Sequence, residues 1–226
     1  MRNPVCKFCD KKSQAALKLN DCELNMLGNK SSQVQFAPGE IIIKQHAPIS
    51  SVAYVKSGLV KIHVQGPIRE KILNIVKAPA YLCLHSTFGD KVNHFSITAI
   101  EKTTVCFIDR ITFSNFIHDN GDFAYQIIQE MSKRELENFN NLNNNAQKQN
   151  IGRVAYALLF FAKEIYGSNS FTLPVSRQEL ADLTGITRES TSRIFTNFKN
   201  EEILNIEGRK ISILNAPLLK QISVNG

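Results

Sequence analysis

The sequence predicts an α+β chain: an N-terminal β-roll, one long helix, and a C-terminal winged helix-turn-helix. Three observations carry this. Val60, Ile62 and Val64 alternate with Lys61, His63 and Gln65, the period of a strand with one face buried. After Asp119-Asn120-Gly121 the apolar spacing changes to that of a helix. Between Ser176 and Leu214 lie a capping sequence, a turn glycine and an alternating hairpin, in that order.

The β region runs from about Val34 to Ile108. Turn signals at Pro38-Gly39, Ser57-Gly58 and Gly66-Pro67 cut it into short strands. The apolar runs Ile72–Val76 and Val105–Ile108 continue the pattern, and many short strands at this spacing close into a barrel or roll.

Phe123, Ile127, Met131, Leu142 and Ala146 then recur at helical spacings, with Phe139 alongside, and nothing breaks the stretch before Gly152. One helix of about 25–30 residues is expected, although Asn138–Asn150 holds seven asparagines, which are poor helix formers. A helix of that length with one apolar seam needs a partner for it, so the seam is expected to pair with its twin in a homodimer. Ile151, Val154, Ala155, Leu158, Leu159 and Ala162 mark a second amphipathic helix, which Gly167-Ser168-Asn169 ends. The domains expected are residues 1–120 as a β-roll sensor, 121–150 as dimerisation helix and hinge, and 151–226 as the winged helix-turn-helix.

In that last segment Ser176-Arg177-Gln178-Glu179 is a capping box, in which serine and glutamate each satisfy a helix-end amide. Gly185 supplies the turn, and Thr187 caps the next helix. On that helix Thr191, Ile194, Phe195 and Phe198 form the inward stripe. Glu189, Ser192, Arg193 and Thr196 form the opposite stripe, flanked by Arg188. Such a row suits a DNA major groove: arginine donates in a fork to guanine, and glutamate accepts from cytosine N4. A hairpin about Glu207-Gly208 carries Arg209 and Lys210 at its tip, as a wing would to touch phosphate. Asn215 and Pro217 open a last short helix.

A net charge of +7 and an isoelectric point near 9.2 permit a polyanionic partner. They do not locate it, since residues 151–226 hold nine Lys/Arg against seven Asp/Glu. No apolar run is long enough to span a membrane, and the start, Met1 to Lys7, lacks a signal-peptide core, so a cytoplasmic protein is expected. Five cysteines, an odd number, argue for reduced thiols, metal ligands or a redox sensor over a disulfide framework. No Ser/His/Asp order, glycine-rich phosphate loop or HExxH motif suggests an enzyme. A small-molecule-binding module acting on a protein partner is the rival reading.

Phe36-Ala37-Pro38-Gly39-Glu40, Val55–Lys61 and Arg188-Glu189-Ser190-Thr191-Ser192-Arg193 resemble signatures of the Crp/Fnr family of bacterial transcription regulators. The likeness spans roughly residues 20–220. It implies a cyclic-nucleotide-binding-like β-roll, a homodimer on double-stranded DNA and a partnership with RNA polymerase. Arg188, Glu189 and Arg193 match base-reading positions of the cyclic-AMP receptor proteins. Ser192 matches one used by the oxygen-sensing members, so a palindrome with a TGA-like core is expected. Thr191 stands where such motifs bury Val or Ile.

The sensor departs from the cyclic-AMP pattern. Cys83-Leu84 and Phe95-Ser96 stand where those members carry Gly-Glu and Arg-Ser pairs, and Asn138 and Phe139 replace Thr and Ser. Without that arginine and glutamate the phosphate and ribose have no partners, so cyclic AMP is not the expected effector. No cofactor is assigned, and two alternatives remain. Cys83-Leu84-His85-Ser86 resembles the haem-ligand segment of the carbon-monoxide sensor of the family, although Arg2 stands where that protein uses a proline. Cys6 and Cys9, with Cys106, are similar to iron–sulfur ligands of the oxygen sensors. The third expected position falls near Ala15, however, while Cys22 comes later, in an expected first helix.

Overall fold

The computed structural model describes residues 6–67 and 69–226. The signal-peptide reading of the start, and Arg2, therefore fall partly or wholly outside the described residues. The chain forms two compact units, residues up to Gln65 with Leu73–Leu136, and Gly66–Ile72 with Glu137–Gly226.

Eight strands among the described residues build the roll: β1 (Ser31–Phe36), β2 (Ile41–Ile43), β3 (Ser51–Ser57), β4 (Leu59–Gln65), β5 (Glu70–Lys77, of which the first unit holds the part from Leu73), β6 (Ala80–Leu82), β7 (Ser96–Ala99) and β8 (Thr103–Asp109). They form two four-stranded sheets, ordered β1-β8-β3-β6 and β2-β7-β4-β5, the expected roll. The pleat explains the two cores of this unit. Along β3, Ala53 and Val55 point to one side and join Val60, Ile97 and Val105 in the core between the sheets. Val52 and Tyr54 point to the other and meet Phe113, Phe116 and Phe123. A strand buried on both faces loses the polar alternation that marks a half-exposed one.

That outer core is closed by helices α1 (Asp21–Asn29), α3 (Arg110–Asp119) and the start of α4 (Gly121–Gln147), while a single short turn of helix, α2 (Leu84–Phe88), lies between β6 and β7. Asn20 and Glu23 form a capping box at α1, and Asp109 accepts from the Thr112 amide at 2.8 Å to start α3. Gly58 joins β3 to β4 at φ +104°, and a Cβ there would collide with Thr103 Oγ1 and sit 2.7 Å from its Cα. Gly58→Ala is expected to destabilise the chain by more than about 1 kcal/mol, read as an earlier midpoint in urea unfolding. An unchanged midpoint would contradict the close approach.

The helix expected after residue 120 is continuous, 27 residues long, and runs through the asparagines. Its seam differs from the expected one. Phe123 and Ile127 are buried in the first unit, with Met131 packed against them, so this stripe is intramolecular core. The neighbouring stripe, Tyr125, Ile128, Leu136, Phe139 and Leu142, is exposed in the single chain. Helical periodicity reports apolar positions but not which of two adjacent stripes meets the chain's own sheet.

The second unit takes in the last part of α4 and continues in further helices after the break at Lys148 and Gln149. Helix α5 (Asn150–Phe160) passes into a π-helical turn, Phe161–Tyr166, which ends at Gly167 in the left-handed region. Gly152 packs against the backbone of Gly226, at the end of α8 (Ala216–Asn225). Residues 66–72 belong here too: Arg69 Nη1 donates to the Ile186 carbonyl at 3.0 Å and Lys71 Nζ to that of Leu183 at 3.1 Å.

Candidate nucleic-acid interface

Two helices and a three-stranded sheet build the candidate interface. Helix α6 (Arg177–Thr184) starts at the Ser176 capping box, both halves of which are formed. Gly185 ends it at φ +73°, and α7 (Arg188–Asn200) comes next. Thr187 Oγ1 accepts from the Ser190 amide at 3.1 Å, fixing the start of α7. Strands β10 (Leu204–Glu207) and β11 (Lys210–Ile213) form the hairpin, and β9 (Ser170–Thr172) pairs with β11 as a third strand.

Thr191, Ile194, Phe195 and Phe198 are buried, while Arg188, Glu189, Ser192, Arg193 and Thr196 are exposed, so α7 carries both stripes the spacing predicts. Thr191 is fully buried because its hydroxyl donates to the Thr187 carbonyl at 3.0 Å. The threonine in a Val/Ile position thus leaves no unpaired polar group. Glu189's own backbone amide, then the Thr187 hydroxyl, hold its carboxyl below the usual range, which keeps it an ionised acceptor.

On the wing, Gly208 turns at φ +60° and Lys210 is exposed. Arg209 is less available than its place at a hairpin tip suggests, since its Nε donates to the Leu173 carbonyl at 3.1 Å. Sequence reasoning treated Arg177 only as part of a capping box. Its guanidinium carbon lies 3.4 Å from the centre of the Phe195 ring, and Nη1 is buried without a partner among the described residues. A basic residue at the first helical position was the available signal.

The effector residues separate. Cys83 sits at φ 51° in the core between the sheets, with Phe95 against that core. Burial pushes the Cys83 thiol up to about 11, so it is neutral. Leu84 turns into the other core, and Ser96 Oγ accepts from the Gln45 amide at 3.0 Å. The His85 ring meets Phe95 edge-on at 5.6 Å, and desolvation lowers its pKa, favouring the neutral imidazole. Asn138 and Phe139 are exposed on α4 in the second unit. His63 and His94 have ordinary partners, Thr98 at 2.8 Å and Asp90 at 2.7 Å. Among the described residues no group of three or more His, Cys, Asp or Glu side chains converges as the ligands of one metal ion would.

This geometry agrees with comparisons to known proteins. Residues 33–120 match the cyclic nucleotide-binding domain model and residues 152–222 the Crp-like helix-turn-helix domain model. The chain belongs to the Crp/Fnr family and is a DNA-binding transcription regulator. It is 25% identical over 225 residues to the nitrogen fixation regulation protein FixK of Bradyrhizobium diazoefficiens, covering 95% of this chain and 93% of that one. It is 25% identical over 181 residues to the transcriptional activator Anr of Pseudomonas protegens, covering 78% and 74%. The solved structure of FixK2 from Bradyrhizobium japonicum superposes with a TM-score of 0.78 at 19% identity, over 87% of this chain and 98% of that one. A CooA mutant from Carboxydothermus hydrogenoformans gives 0.73 at 21%, over 95% and 96%. The structural matches speak to the fold alone. Among the described residues no helix is long and apolar enough to cross a membrane.

Proposed function

We propose that the chain binds palindromic promoter DNA as a homodimer, each protomer reading a half-site with a TGA-like core through α7. The observation that supports this most directly is the exposed row Arg188, Glu189, Ser192 and Arg193, opposite a buried stripe on a helix capped by Thr187. Arginine forks pair with guanine O6 and N7, and a carboxylate pairs with cytosine N4. Lys210, with Arg209 and the stacked Arg177, supplies phosphate contacts, which fix register without reading sequence. The exposed apolar row of α4 is the dimer seam, and the Gln149–Gly152 junction is the hinge through which the β-roll re-aims the heads.

By this reading the functional boundaries are residues 1–120, 121–150 and 151–226, the site of action is the cytoplasm, and RNA polymerase is the protein partner. Cyclic AMP is not the effector: Leu84 and Phe95 offer its ribose and phosphate neither acceptor nor charge. Haem at Cys83 and His85 would need the buried, neutral Cys83 thiol to turn out of an apolar core.

The test is fluorescence anisotropy with a palindromic duplex whose half-sites lie about one helical turn, roughly 10 base pairs, apart. Salt-sensitive binding with a two-fold symmetric footprint is expected. Equal affinity for a scrambled duplex would sink the reading.

A further inference from the structure

Three of the five cysteines, from two distant parts of the chain, line one cavity of about 270 Å³ in the first unit. Cys6 and Cys9 flank a 3-10 turn in which the Cys9 amide donates to the Cys6 carbonyl at 3.2 Å. Cys106 faces the same cavity from β8. The segment carrying the turn is fastened to the sheet by two phenols. Tyr54 Oη donates to the Lys11 carbonyl at 2.9 Å, and Tyr81 Oη shares a hydrogen bond of 2.7 Å with Ser13. The remaining thiols lie elsewhere: Cys22 is exposed on α1, and Cys83 is buried between the sheets.

The three thiols share a cavity without converging as ligands of a single metal ion. What a single turn does suit is a pair. Residues three apart in it bring their Cα atoms near the roughly 4.4–6.8 Å span of a disulfide. The cavity can admit a small reagent, and Lys12 and Lys56 on its lining oppose in part the rise that burial gives the Cys6 thiol.

We propose that this cavity is a redox modification site, in which Cys6 and Cys9 form an intramolecular disulfide by exchange with a low-molecular-weight disulfide such as oxidised glutathione. One thiolate of the pair attacks a sulfur of the reagent, whose S–S bond breaks and expels one thiolate. The second protein thiolate then attacks the mixed disulfide at the protein sulfur and expels the other. The dithiol loses two electrons and two protons, and the reagent leaves as two molecules of thiol. Cys106 keeps its proton, since burial pushes it up to about 11. Burial, then the neighbouring Cys9, also raise Cys6, so exchange accelerates as pH rises through the alkaline range.

This inference rests on the cavity and not on the DNA-binding reading, and its readout is independent of DNA. The reduced full-length chain is incubated with oxidised glutathione at pH 7 and pH 9, its free thiols are alkylated, and its peptides are mapped by mass spectrometry. The expected product has Cys6 joined to Cys9, forms faster at pH 9, reverts with dithiothreitol, and still forms in Cys106→Ala. In Cys6→Ser no intramolecular disulfide involving Cys9 is expected, only a mixed disulfide. Modification confined to Cys22, or mixed disulfides with no Cys6–Cys9 bond in the unsubstituted chain, would overturn the proposal.

Discussion

The double substitution Phe139→Glu, Leu142→Glu is expected to leave a folded monomer that no longer holds a palindromic duplex. Both side chains stand well out of the single chain, 59% and 65% exposed, so neither supports its fold. Tyr125, Ile128 and Leu136 continue the same stripe toward the N-terminal end of α4. Burying one such side chain is worth about 1.5–3 kcal/mol, and two protomers contribute two each. Replacing four apolar contacts by four carboxylates should raise the dimer dissociation constant by at least about 100-fold, since each 1.4 kcal/mol is a factor of ten. Light scattering after size exclusion reads the mass, and circular dichroism checks the helix. A variant that stays dimeric would remove this stripe from the interface.

Arg193→Ala should lose about 1–3 kcal/mol per half-site on the cognate duplex, roughly 5- to 150-fold, and much less on a scrambled one. The side chain is exposed on α7 and the neighbouring stripe is fully packed, so its removal leaves no cavity. Lys210→Ala is the contrast: it should weaken both duplexes alike and lower the salt dependence by about one counterion. If Arg193→Ala weakened both duplexes equally, Arg193 would be a phosphate contact and base reading would rest on Arg188 and Glu189.

The helix-turn-helix was readable element by element because its signals are local. Ser176 and Glu179 lie three apart and satisfy each other's amides, Thr187 caps the recognition helix directly after it, and Gly185 and Gly208 turn where their neighbours require it. The roll was readable as a set of strands but not as two sheets, because which strands pair is decided by packing. The exposed apolar stripe of α4 lies one stripe away from the seam read in the sequence, for a related reason. Phe123 and Ile127 are as apolar as Phe139 and Leu142, and only the outer face of β3 decides which pair is internal. Cys6 and Cys106 meet in one cavity only because the N-terminal segment crosses the sheet at Tyr54 and Tyr81. No spacing rule reports that meeting.

The strand order of the roll also bears on how the chain is made. Ser31 pairs with Ile108, so β1 cannot find its neighbour until nearly the whole roll has been synthesised. The DNA-reading part of the second unit draws on nearer partners, such as Leu204 with Ile213 across the wing and α6 with α7 across a short turn. Contacts between distant residues must overcome loop-closure entropy before they stabilise anything, and such folds form slowly. Refolding from denaturant should therefore run in two phases, with the DNA-reading end acquiring protected amides before the sensor does. On the ribosome the order of synthesis opposes that order of speed: the slow unit emerges first and has the longest time to close.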